Sequence, residues 1–247
     1  MNLVDSIVRV LKGCASERMR NSLKGRCLVE ALATGFLSFA ISRISHSNHN
    51  DFEQAIVVGL TLALLIHLCG RFSGAHFNPL VSFMLNGQRF GRGALGSRPF
   101  WRETMGYTFA QCIGSVVGFR LDPPVESGAI FSHSAFVPEL CFSFALLALI
   151  LTWSREGRVC PFSQPLSGVV IGMGLSGLVV LGGLTECGVY NPAISLALIT
   201  EGAHGIPLLI LAQGLALGLL SLLMPAQESH RNASLPDSTS NEISSPS

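Results

Sequence analysis

The chain has 247 residues, 49% of them hydrophobic and only 13% charged, and its mean hydropathy is +0.49. Soluble domains carry about 25% charged residues, so this deficit excludes an ordinary water-soluble globule and points to a surface that faces hydrocarbon. A net charge of +1 gives no reason to expect nucleic acid or an acidic substrate as partner.

Along the chain, residues 3–14 place Leu3, Val4, Ile7, Val8, Leu11 and Cys14 at helical spacing, with Arg9 and Lys12 elsewhere. This pattern predicts a short amphipathic helix lying on a membrane surface, with a loose tail as the alternative. The first 25 residues lack the uninterrupted apolar core of a secretory signal. Apolar runs then follow at about 27–44, 54–71, 103–121, 136–153, 166–184 and 205–224. A bilayer crossing needs about 20 such residues, so six spans are expected. Two apolar segments between them, 75–85 and 189–199, are too short to cross. Residues 225–247 are rich in Ser, Asn and Pro and predict a disordered tail. The domains expected are thus an N-terminal segment over 1–25, a membrane domain over 26–224 with repeats at about 26–121 and 136–224, and the tail over 225–247.

Lys and Arg set the orientation. Of the 16 in the chain, only Arg43 and Arg120 fall on the side opposite the N-terminus once six spans are drawn. Both termini are therefore expected in the cytoplasm, in the plasma membrane or alternatively an intracellular one.

The short segments repeat one another. The first reads Ser73-Gly74-Ala75-His76-Phe77-Asn78-Pro79-Leu80-Val81-Ser82, the second Gly188-Val189-Tyr190-Asn191-Pro192-Ala193-Ile194-Ser195. Each has serine four residues after its asparagine, and each follows a glutamate in an upstream span, Glu30 or Glu139. Three spans separate the copies, so they lie upside down relative to each other, an arrangement that places a pathway at the repeat interface. Proline suits the first helical position because its missing N–H has no intrahelical partner there. Asparagine before it caps the helix through its side-chain oxygen, which leaves the amide NH2 as an outward donor. Each pair should begin a half-membrane helix whose positive dipole end faces the membrane centre. Two such ends, meeting from opposite leaflets, would repel cations and pass an uncharged hydrogen-bond acceptor. A lone Asn-Pro is a common turn; the inverted recurrence is what argues for more.

Burying a charged carboxylate at mid-bilayer costs about 2.5–3.5 kcal/mol on insertion scales, so Glu30 and Glu139 need donors. Non-helical segments leading into the half-helices expose N–H groups that need acceptors. The glutamates are expected to satisfy them, with a proton relay as the alternative, and His76 is expected to brace the same loop. His67, in the second span, reads as a pore- or core-facing polar group.

These residues resemble the aquaporin or major intrinsic protein family. The stretch Ser73 to Pro79 is similar to the family's first pore loop and Asn191-Pro192-Ala193 to its second. Glu30-Ala31-Leu32-Ala33-Thr34 and Tyr107-Thr108-Phe109-Ala110-Gln111-Cys112-Ile113-Gly114 are similar to its first and third spans, so the resemblance covers roughly residues 27–200. It implies an all-α membrane fold of six transmembrane helices plus two half-membrane helices, related by an inverted repeat, in a homotetramer with one pore per subunit. It places the pore constriction at Asn78, Asn191, Pro79, Pro192, Leu80 and Ala193, and the outer selectivity filter at Val58, Val179, Gly188 and Ile194. Leu80 stands where the family usually has alanine, and Ile194 where most members carry an arginine of the outer filter. Ala212-Gln213-Gly214 replaces a usual Gly-Pro pair, while Gly214 and Gly218 are expected to allow close helix packing. Ser195 stands where glycerol-type members have aspartate.

The expected function is a passive channel for water and small uncharged solutes, with an atypical apolar outer filter and the lipid bilayer as surroundings. The alternative is a non-conducting scaffold on the same fold. No Ser/His/Asp set, P-loop or Rossmann glycine pattern suggests an enzyme, and no cofactor or metal is implied. The seven cysteines lack metal-ligand spacing; Cys187, near the proposed pore mouth, is a candidate site for mercurial block.

Overall fold

A computed structural model describes residues 17, 20–91, 93–122, 132–154, 163–182 and 188–223. The amphipathic segment expected over 3–14, the tail over 225–247 and Cys187 lie outside these residues. Among the described residues there are eight α-helices and no strand: α1 (Leu23–Ser45), α2 (Asp51–Ser73), α3 (Pro79–Phe90), α4 (Arg98–Arg120), α5 (Phe136–Ser154), α6 (Ser163–Gly182), α7 (Pro192–Thr200) and α8 (Ile206–Leu223).

All six apolar runs are helices, and their ends are set by capping chemistry. Ser22 Oγ accepts from Gly25 N (2.9 Å) at the start of α1, and Asn50 Oδ1 accepts from Glu53 N (3.0 Å) at the start of α2. Gly74, in the left-handed region at φ 94°, ends α2. By length and composition α1, α2, α8 and the stretch His133–Trp153 can each cross a membrane. Helix α6 has a shorter apolar part, Leu166–Gly182. Helix α4 is 23 residues long but carries Arg98, Arg102, Glu103 and Arg120 near its ends and a buried polar face. Helices α3 and α7, of 12 and 9 residues, span about 18 and 14 Å at 1.5 Å per residue, roughly half of a 30 Å hydrocarbon layer.

The long helices expose apolar stripes and bury polar residues beside an apolar core. On α1, Leu28, Leu32 and Phe36 are exposed one turn apart, as are Leu60, Leu64 and Leu68 on α2 and Phe109, Ile113 and Val117 on α4. The face of α1 turned inward carries Glu30, Thr34, Ser38 and Ser42, all buried. Against it α4 brings Gln111 and Ser115, and Asp122 follows just beyond its end; Ser38 and Ser115 share a 2.7 Å hydrogen bond, and Ser42 donates to Asp122 at 3.0 Å. The outward stripes suit lipid, and the inward ones hold the helices together by bonds that hydrocarbon cannot replace.

Helix pairing follows a two-fold pattern. The α1–α4 pair of the first half matches α5–α8 of the second, α3–α4 matches α7–α8, and α2 meets α6 across the centre. Glycines let the backbones touch: a Cβ at Gly114 would lie 2.0 Å from the Ala31 carbonyl oxygen, and one at Gly59 would lie 2.3 Å from that of Gly172. The expectation of close packing at Gly214 and Gly218 is not met. Both are exposed, and a Cβ at either would have nothing within 4 Å; that stripe of α8 faces outward with Leu211, Leu215 and Leu219.

The half-helices leave the centre toward opposite ends of α4. Near the start of α4, Glu103 accepts from Arg89 at the end of α3 (2.8 Å) and from Arg26 (2.7 Å). At the other end, Arg120 faces Glu201, just beyond α7, at 3.5 Å.

Candidate functional site

Residues 75–77 and 188–190 run into the half-helices without helical bonds of their own. Ala75, Phe77 and Tyr190 adopt positive φ angles of 54°, 50° and 44°, a conformation that L-residues occupy only where surroundings impose it. Where such a backbone is buried, as at Phe77 and Tyr190, its polar groups must find partners. Glu30, fully buried, accepts from His76 N (3.1 Å) and Phe77 N (2.7 Å). Glu139, equally buried, accepts from Tyr190 N (2.7 Å). Each carboxyl group thus accepts from the backbone of one loop. His76 also stands at its loop, with Nδ1 3.2 Å from Ser82 Oγ and its ring 5.0 Å from that of Tyr107.

The loops end at the two asparagines. Asn78 Oδ1 accepts from Leu80 N (2.9 Å) and Asn191 Oδ1 from Ala193 N (3.0 Å), with Pro79 and Pro192 opening their helices. Asn78 Nδ2 donates to the Tyr190 carbonyl at 2.8 Å, and Asn191 Nδ2 donates to the Phe77 carbonyl, also at 2.8 Å. The two helix N-termini thus meet head to head. This corrects one expectation: the amide NH2 is not wholly free, because one hydrogen of each goes to the opposite loop. The reason is local. The left-handed turns at Phe77 and Tyr190 aim their carbonyls inward, where no helical N–H can reach them.

Val58, Val179 and Ile194 are 3%, 1% and 5% exposed, and belong to one apolar cluster with Leu80 and Tyr190. Gly188 is half-buried, and Ala193 is fully buried. His67, expected to face the pore or the core, instead lies on the exposed side of α2, its Nδ1 donating to the Ala63 carbonyl at 2.7 Å. Its ring sits beside Gly168, where a Cβ would come within 2.4 Å of it.

Sequence reasoning missed two residues of this site. Gln111 Nε2 donates to Glu30 Oε2 (2.8 Å) and to Ser82 Oγ (3.0 Å). Gln213 Nε2 donates to Glu139 Oε1 (2.6 Å) and to Ser195 Oγ (3.1 Å). The signal was an Ala-Gln dipeptide at 110–111 and again at 212–213, in the last long helix of each repeat. Tyr107 adds a further brace by donating to the Ser73 carbonyl at 2.6 Å.

At the far end of α4, Asp122 accepts from Ser42 (3.0 Å), Arg43 (3.0 Å) and His46 (2.8 Å). Burial pushes its carboxyl up, but the bonds from Arg43, Ser42 and His46 outweigh that and hold it below its ordinary value. Among the described residues, no three His, Cys, Asp or Glu side chains gather into a group able to hold a metal.

Residues 17–202 match the family model described as Major intrinsic protein. The chain is 30% identical over 187 residues to nodulin-26 of Glycine max, covering 69% of this chain and 65% of that protein. It is 32% identical over 152 residues to aquaglyceroporin AqpS of Rhizobium meliloti, covering 55% of this chain and 62% of that one. A shorter match, 35% over 71 residues, relates it to the glycerol uptake facilitator protein of Escherichia coli, with 26% of this chain and 25% of that one covered. The chain thus spans a little under two thirds of the first two relatives. The matched region contains both Asn-Pro pairs and both glutamates, and the chain belongs to the major intrinsic protein family.

Proposed function

We propose that the chain forms a passive transmembrane channel for water and small uncharged solutes, with the junction of Asn78 and Asn191 as its central constriction. The observation that carries this reading is the reciprocal pair of 2.8 Å bonds from each asparagine to the opposite loop. It brings two positive helix ends and two amide groups to one point. A primary amide has two hydrogens, so each asparagine keeps one for a passing acceptor. Water, glycerol, ammonia and peroxide all offer a lone pair. Ammonium and other cations offer none and meet two positive dipole ends.

In this reading Pro79, Leu80, Pro192 and Ala193 shape the constriction, and Glu30, Glu139 and His76 hold the loops that form it. Val58, Val179, Gly188 and Ile194 form an apolar outer filter. With isoleucine at 194 the filter has no fixed charge, so cation exclusion falls to the asparagine junction. An apolar ring gives water no replacement for lost hydrogen bonds, so water flux is modest and small neutral solutes are weakly discriminated. Relatives named as an aquaglyceroporin and a glycerol uptake facilitator support solutes of glycerol's size. The proposal includes a homotetramer, cytoplasmic termini, residence in the plasma membrane, and mercurial block at Cys187; it assigns no catalytic residue and no cofactor.

Stopped-flow measurement on vesicles bearing the purified protein, over water, glycerol, ammonia and peroxide, tests the reading. Flux above protein-free vesicles is expected for water and at least one other solute. No flux for any of them defeats the channel and leaves the scaffold reading. The tight burial of Val58, Val179, Ile194 and Leu80 in one apolar cluster is the observation that favours the scaffold.

A further inference from the structure

The side chain of Gln213 is fully buried, and both of its amide hydrogens are committed. One goes to Glu139 Oε1, the same oxygen that accepts from Tyr190 N. The other goes to Ser195 Oγ, one turn into α7, whose backbone N–H donates to the Asn191 carbonyl at 2.9 Å. A single side chain on α8 therefore ties the α5 carboxylate to the first turn of the second half-helix. Through Glu139 it reaches Tyr190, whose carbonyl takes the Asn78 amide; through Ser195 it reaches Asn191. Gln111 makes the corresponding pair of bonds in the first repeat, to Glu30 and Ser82, and Ser82 Oγ donates to the Asn78 carbonyl at 3.2 Å.

We propose that Gln213 is a positioning residue that fixes the depth and tilt of α7, and so sets the solute selectivity of the Asn78/Asn191 junction. The chemistry required is narrow. A planar NH2 donates to two acceptors about 120° apart; leucine donates to neither, glutamate would set a second carboxylate against Glu139, and asparagine is one methylene too short to span both. In hydrocarbon no water replaces the lost donors. The effect of losing the clamp is local, because Gln111 continues to hold the first half-helix.

The selectivity claim rests on the channel reading; the positional claim does not, so the two are read separately. Amide hydrogen exchange is followed in lipid nanodiscs for the parent chain, Gln213→Leu, Gln213→Asn and Gln111→Leu. The Leu variants are close to glutamine in size, and Gln213→Asn serves if Gln213→Leu does not fold. Either Gln213 variant is expected to speed exchange of the Tyr190 and Ala193 amides about tenfold while those of Phe77 and Leu80 change little. Gln111→Leu is expected to do the reverse. In vesicles, the Gln213 variants are expected to shift the ratio of glycerol to water permeability several-fold. Equal acceleration at both junction halves, or none at Tyr190, overturns the positional claim whether or not the parent conducts. An unshifted ratio in a conducting parent overturns the selectivity claim. A parent without flux contradicts the channel itself, while the exchange result still decides what Gln213 does.

Discussion

A buried carboxylate in this chain is held by the donors it collects, and Asp122 lies where that can be titrated. It sits beyond the end of α4, accepting from Arg43, Ser42 and His46. Its folded value is held below the ordinary 3.8, so the charged form stabilises the fold at neutral pH. That contribution is lost as pH falls from 3.8 through the depressed folded value. Asp122→Asn is therefore expected to lower the melting temperature at pH 7 by a few degrees, with the gap to the parent closing as pH falls below 3.8. Thermal scans of both proteins across that range check it; a gap that stays constant contradicts the assignment. The asparagines were legible in the sequence because an Asn-Pro pair couples a cap to a first-turn proline, both local matters. Gln213 was harder to read, since its role depends on Glu139 and Ser195, 74 and 18 residues away, and only the recurrence of Ala-Gln at 110–111 and 212–213 hints at it.

Element by element, apolar runs located every long helix to within a few residues, as hydrocarbon requires continuous apolar length. The cap residues Ser22 and Asn50 extend α1 and α2 beyond their apolar cores. Glycine was harder to read, because a small residue in a membrane helix marks a crossing only if a neighbour is there to cross. Gly114 meets the α1 backbone, whereas Gly214 meets nothing. Gly114→Val is expected to separate α1 from α4 and destabilise the fold by about 3 kcal/mol or more, on the scale of severe core overpacking. Gly214→Ala is expected to be neutral or to stabilise by up to about 1 kcal/mol through helix propensity. Unfolding of the two variants in mixed micelles separates them, and equal effects would contradict the crossing described here.

At the scale of the whole molecule, the inverted repeat was legible because its markers, a glutamate, an Asn-Pro pair and a serine, recur in fixed order on either side of the centre. Their meeting was an inference from span number, and the structure adds how they meet, by each asparagine donating to the other's loop. The outer filter proposed here has no such marker. Val58, Val179 and Ile194 come from three helices and lie in one buried apolar cluster, and in sequence such side chains look like any packed core. Asn191→Asp tests the account most directly. It removes the donor to the Phe77 carbonyl and adds a negative charge where two positive helix ends converge. In vesicles monitored together for osmotic flux and proton leak, the variant is predicted to lose most of the neutral-solute flux and to gain a proton leak absent from the parent. Flux and proton tightness both unchanged would mean that nothing passes between Asn78 and Asn191.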